Sequence, residues 1–138
     1  MGAVKTARSG GGERSLGTVY VYHNTFVNTS QANLIHGPPR QFTKLRFVNN
    51  IFFAPGAEQP KDANDLFENN FFGDPLLSDP AGLDFTPKES SPVIDKAIRL
   101  SGLNDDISGA APDIGAIEFG LGWLGKTLKR PPEKGPWQ

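Results

Sequence analysis

The chain contains no cysteine. That excludes disulfides, cysteine-ligated metal sites and thiol nucleophiles, and leaves the compartment open. No apolar run approaches the ~20 residues of a membrane-spanning helix, so no membrane partner is expected. Met1 to Gly17 is rich in Gly, Ser and Arg and lacks the apolar centre of a secretory signal. Basic stretches interleaved with aromatics are missing too, which argues against a nucleic-acid partner. Capped amphipathic helices are absent. The nearest approach is Ile94, Ala97 and Ile98, enough for one or two turns. No Asn-Gly or Asp-Gly pair sits between alternating runs, so the strongest hairpin signal is missing.

What is present is turn chemistry and phenylalanine. There are 16 Gly and 12 Pro in 138 residues, and 10 Phe against 2 Tyr and 2 Trp. That aromatic balance suits rings filling a repeating interior. The formal net charge of -1 conceals a pattern. Residues 1–64 carry 7 Lys/Arg and 3 Asp/Glu, residues 65–120 carry 3 and 11, and residues 121–138 carry 4 and 1.

Three segments rhyme. They are Val21-Tyr22-His23-Asn24-Thr25-Phe26-Val27, Phe47-Val48-Asn49-Asn50-Ile51-Phe52-Phe53 and Phe67-Glu68-Asn69-Asn70-Phe71-Phe72-Gly73. The shared Asn steps by 26 residues (24 to 50) and then by 20 (50 to 70). Such periods indicate one supersecondary unit stacked on the next. An Asn at the same place in each unit can share amide hydrogen bonds up the pile. Asn24, Asn50 and Asn70 are therefore read as a structural ladder, with His23 aligned to Asn49 and Asn69 at the same corner. Thr18 to Val27 alternates as a strand, Val19 and Val21 to one side, Tyr20 and Tyr22 to the other. Gln41 to Phe53 repeats it with Leu45 and Phe47 inward, and Leu66 to Phe72 is the third copy. Asn28 to Arg40 and Ala54 to Asn64 read as loops. Ala3 to Thr6 reads as a short strand of an earlier, incomplete unit.

After Gly73 the chain changes character. Asp74-Pro75, Asp79-Pro80 and Ser91-Pro92 mark turns. The organisation expected is a flexible segment or partial coil over 1–17, stacked coils plus a C-terminal cap over 18–120, and a basic, Pro-rich tail over 121–138. Trp123, Leu124 and Leu128 are candidates to dock on the body, and Lys129 to Gln138 to fray.

The repeated strand–Asn–Phe unit is followed by Asp74-Pro75-Leu76-Leu77-Ser78-Asp79-Pro80, Gly82-Leu83-Asp84-Phe85, Ser91-Pro92-Val93-Ile94-Asp95 and Pro112-Asp113-Ile114-Gly115-Ala116-Ile117-Glu118. Over roughly Thr18 to Phe119 this combination resembles the C-terminal portion of right-handed parallel β-helix proteins of the pectate-lyase-like superfamily. The resemblance implies an all-β chain: a short right-handed parallel β-helix of about three coils with an irregular C-terminal capping segment. Such proteins are often lyases, hydrolases or epimerases of acidic sugars, with catalytic residues on coils upstream of the matched region. No catalytic residue carries over.

Two functions follow. In one, the chain is a non-catalytic, truncated β-helix module that binds carbohydrate weakly or serves in assembly. In the other, it is a small lyase or hydrolase of uronic-acid polysaccharide. Tyr20, Tyr22, His36, Lys44 and Arg46 are the candidate carbohydrate-binding residues, Arg46 pointing outward between Tyr20 and Leu66 of adjacent coils. The same residues also fit a solvated strand face with a cation on an aromatic ring. A hydrolase needs two carboxylates ~5–9.5 Å apart. Glu68 is the one acid inside the repeated strands, with Asp62 and Asp65 nearby. Asn104, Asp105, Asp106 and Asp113 have the oxygens for Ca²⁺, but not its EF-hand spacing. Turn chemistry explains them better, so no metal and no cofactor is expected. Asp95 and Asp113 are read as tying loops to buried N–H groups. An open stack end presents unpaired strands, so a homodimer through the N-terminal coil end is expected, with polysaccharide as the other candidate partner.

Overall fold

The computed structural model describes residues 4–5, 18–27, 35–36, 44–53 and 66–123, with backbone register alone at 4–5, 35–36, 44–45 and 123. All regular structure among these residues is strand. The chain is all-β, and its larger sheets are parallel.

The three rhyming segments each make a strand, a bend and a second strand. These are β2 (Thr18–Tyr22) and β3 (Thr25–Val27), β5 (Lys44–Val48) and β6 (Ile51–Phe53), and β7 (Leu66–Glu68) and β8 (Phe71–Phe72). The first strands pair in parallel in the order β2-β5-β7, the second in the order β3-β6-β8. Val21, Phe47 and Phe67 fall opposite one another, as do Phe26, Phe52 and Phe72. The bend between the strands is set by one residue in the left-handed region: His23 (φ 51°), Asn49 (φ 58°) and Asn69 (φ 53°). Asn tolerates that conformation better than most side chains.

A third parallel pair joins β1 (Val4–Lys5) to β4 (Ile35–His36). The strand expected within Ala3 to Thr6 is thus present. The loop expected over Asn28 to Arg40 is corrected at Ile35 and His36, which pair in register with Val4 and Lys5. Two antiparallel pairs follow: β9 (Leu77–Asp79) with β10 (Asp84–Pro87), and β11 (Ile117–Glu118) with β12 (Gly122–Trp123). The first is a hairpin without an Asn-Gly turn. Asp79 does that work, its carboxylate accepting from Gly82 N at 3.0 Å. Ile94 to Leu100 forms a turn, a bend and irregular chain instead of a helix. Trp123 belongs to β12, while Leu124, Leu128 and the tail from Lys129 lie outside the described residues.

Strand alternation sorts the apolar side chains into two cores. Phe47 and Phe52 are fully buried, packed by Val19, Val21, Phe26, Phe67 and Phe72. Their rings stack at the strand spacing: Phe26 to Phe52 at 4.9 Å, Phe52 to Phe72 at 5.0 Å, and Phe47 to Phe67 at 4.9 Å. The second core takes the opposite face of β6 and β8. There Ile51, with Phe53 and Phe71, packs against Val93, Ala97 and Ile114 of the closing segment. A sheet covered on both faces needs apolar residues at consecutive positions, which is why these strands read Ile-Phe-Phe and Phe-Phe.

Candidate functional site

Two side-chain arrays dominate the described surface and seam. The first is the outward face of β2-β5-β7. Pairing register sets Tyr20 opposite Arg46 and Arg46 opposite Leu66. All three are exposed, Tyr20 at 49% and Leu66 at 39%. One step along, Tyr22 lies opposite Val48 and Val48 opposite Glu68. The Tyr20 and Tyr22 rings meet edge to face with centroids 5.5 Å apart. Partial burial, then the neighbouring Tyr20, push the Tyr22 hydroxyl upward, while the Arg46 cation pulls it down. The two tyrosines and Arg46 therefore share one electrostatic neighbourhood.

Of the other candidates, Lys44 aligns with Thr18 at the start of the same sheet. His36 sits on β4, in a different sheet from Tyr20 and Arg46. The side chains of Lys44 and His36 lie outside the described residues, as do Asp62 and Asp65. Glu68 is exposed on β7.

The second array is the corner. Asn24, Asn50 and Asn70 form the expected ladder. Asn50 Oδ1 accepts from Asn24 N at 2.9 Å and Asn24 Nδ2 at 3.0 Å. Asn70 Oδ1 accepts in the same way from Asn50 N at 3.0 Å and Asn50 Nδ2 at 2.8 Å. Asn50 Nδ2 also donates to Val21 O, and Asn70 Nδ2 to Phe47 O, each at 2.8 Å.

The bend residues make a second ladder that reaches outward to the closing segment. Asn69 Nδ2 donates to Asn49 Oδ1 at 2.9 Å and to Lys96 O at 2.7 Å. Asn49 Nδ2 donates to Ile98 O at 2.8 Å, and Asn49 Oδ1 accepts from Ile98 N at 2.9 Å. His23 continues the row. Its Nδ1 lies 3.1 Å from Gly115 O, and its Nε2 lies 3.0 Å from Asn49 Nδ2 and 2.8 Å from Asn104 Nδ2. A carbonyl only accepts, so Nδ1 carries the proton and Nε2 accepts from the two amides. Burial lowers the His23 pKa, and the carbonyls of Gly115 and Asp113 pull the other way.

The closing segment is knotted by its own acids. Asp95 Oδ1 accepts from Ala110 N and Ala111 N. Asp113 takes Asp95 N at 2.7 Å and Phe119 N at 2.7 Å, one on each oxygen. Glu118 takes Ser108 N and Asp113 N, both at 2.9 Å. Burial raises the pKa of Asp113 and of Glu118, against the pull of those N–H donors. Among the described residues no buried side-chain nitrogen or oxygen lacks a partner. Asn104 and Asp105 make turn contacts. Asn104 Oδ1 accepts from Leu100 N and Asp105 Oδ2 from Gly102 N. No group of three His, Asp or Glu side chains placed to hold a metal occurs among the described residues.

Sequence reading missed the grip of the bend residues on residues 96–115. The signal available was the alignment of His23, Asn49 and Asn69. Their partners lie in a Gly- and Asp-rich stretch with no periodicity to mark them.

Comparisons with protein-family models, with curated proteins and with solved structures find no match to this chain.

Proposed function

We propose that the chain is a short right-handed parallel β-helix of about three coils, of the pectate-lyase-like type, and that it works as a non-catalytic module binding acidic polysaccharide. The observation that carries this reading is the exposed row Tyr20–Arg46–Leu66 on a parallel sheet, with Tyr22 beside it. A guanidinium can hold a uronate carboxylate through two parallel hydrogen bonds. A tyrosine ring offers an apolar face to the sugar. Acid–base chemistry has less support. Asp95, Asp113 and Glu118 each hold backbone N–H groups, and Glu68 is the single carboxylate on the exposed face among the described residues.

Isothermal titration with oligogalacturonate and oligoalginate tests the reading. Binding without turnover is expected, weakened about tenfold or more by Arg46→Ala and less by Tyr20→Ala. Release of unsaturated uronate products, abolished by Arg46→Ala, would replace the binding module with a lyase. Affinity unchanged in both variants would remove this face from the function. We also propose a homodimer through the Thr18–Tyr22 edge, β2 being an edge of its sheet among the described residues. Light scattering showing a monomer at micromolar concentration would refute it.

A further inference from the structure

Of the three bend residues His23, Asn49 and Asn69, His23 alone carries a titratable side chain. The bends at 49 and 69 use Asn, whose amide offers both a donor and an acceptor at any pH. At 23 the same φ and the same row are kept, with an imidazole in place of the amide.

The surroundings of Nε2 accept no proton there. The two side chains within hydrogen-bond distance of it present amide nitrogens, Asn49 Nδ2 and Asn104 Nδ2. Neither amide can turn to present its oxygen without breaking other bonds. Asn49 Oδ1 is held by Ile98 N and Asn69 Nδ2, and Asn104 Oδ1 by Leu100 N at 2.6 Å. Both nitrogens also donate to Ile98 O. A proton on Nε2 would meet two N–H donors in a half-buried site.

No charge stands by to compensate. From the closing segment, Asp95, Asp113 and Glu118 direct their oxygens to backbone N–H groups. From the stacked units the imidazole meets Asn49, and the neighbouring Thr25 hydroxyl accepts from Ala116 N. Lys96 and Arg99, close to Ile98 in sequence, supply no negative charge. Among the described residues His23 makes no ion pair.

We propose that His23 is a pH-operated latch: protonation at Nε2 opens the seam at Asn49 and Asn104, where two amide donors face it, and loosens residues 96–116 from the stacked units, the Nδ1 bond to Gly115 O being kept. The direction of its titration agrees. With the folded pKa below the ordinary value of 6.5, the unfolded chain takes up a proton that the folded chain refuses. Stability from the neutral imidazole is therefore complete above about pH 6.5 and falls as acidity increases toward the folded pKa. Asp113 and Glu118 act oppositely, since raised carboxylate values favour the fold at low pH. The test must remove His23 alone.

Hydrogen exchange by mass spectrometry on the full chain, at about pH 7.5 and about pH 5.5, reads the latch after correction for intrinsic rates. In the unsubstituted protein, peptides covering 96–116 should exchange on the order of tenfold faster at the lower pH, while those covering 44–53 change little. His23→Asn, which copies the neighbouring bends, should abolish the difference. His36→Gln should keep it. Equal protection at both pH values, or the same loss in His23→Asn, overturns the proposal. Should His23→Asn not fold, imidazole ¹⁵N shifts of the unsubstituted protein decide. A neutral ring protonated on Nδ1 that titrates below its ordinary value supports the latch; titration at or above that value overturns it.

Discussion

Asn50 shows how far one side chain can be committed. It is fully buried. Its oxygen accepts two bonds from Asn24, and its nitrogen reaches Val21 O, Val48 O and Asn70 Oδ1. Asn50→Ala would strand several buried groups at once, each worth about 1–3 kcal/mol. A loss of about 3–5 kcal/mol is expected in urea unfolding, with Asn24→Ala costing less because Asn24 lies at the edge of the array and is only half-buried. The opposite sign is expected at Leu83. It is 76% exposed and sits at φ 66°, a conformation that costs a branched side chain about 1–2 kcal/mol. Leu83→Gly should raise the free energy of unfolding by up to about 1 kcal/mol, read as a higher urea midpoint. The Asn ladder was legible in the sequence because its members recur at one place in each unit. The strained leucine was not, since nothing in Gly82-Leu83-Asp84 marks which residue takes the positive φ.

At the scale of elements, the parallel strands were readable wherever alternation ran for five residues, as in β2 and β5. Two-residue strands defeated it. Ile35 and His36 are defined by a partner at Val4 and Lys5, and two residues carry no period. The closing segment was legible as a set of turns, and Asp95 and Asp113 as loop-tying acids. Its path across the corner was not, because that path is fixed by contacts 27 to 92 residues away in sequence. Gly115 is a tight point where that path meets the stacked units. It has φ +102°, its N–H donates to Asn49 O at 2.9 Å, and a β-carbon there would lie 2.5 Å from Ile51 Cδ1. Gly115→Ala should cost about 2–4 kcal/mol by chemical unfolding. Glu118→Gln tests the knot directly. The two oxygens each accept one N–H, so an amide NH₂ must oppose one of those donors. A loss of about 2–3 kcal/mol is expected, visible in thermal melts.

For the molecule as a whole, cohesion runs along the stacking direction. Phe52 lies between Phe26 and Phe72 in a column of three rings. Phe52→Ala should cost about 3–5 kcal/mol and disturb both neighbouring layers, whereas Phe72→Ala, half-buried, should cost less. A larger loss for Phe72 in urea titrations would show that the column is not the main support. The exposed Tyr20–Arg46–Leu66 face was anticipated from parity alone, since alternation along a strand and equal repeat position dictate it. Its chemistry is less constrained, because an outward face need satisfy no packing requirement.

The strap from Lys96 to Gly115 meets all three layers in turn: Asn69 through Lys96, Asn49 through Ile98, and His23 through Asn104 and Gly115. Its contour length is fixed, so it behaves as a ruler spanning that many storeys. A duplicated storey between residues 27 and 66 would carry the lowest corner out of its reach. Duplication ahead of residue 18 would leave every one of these contacts in place, so the architecture tolerates lengthening in one direction only.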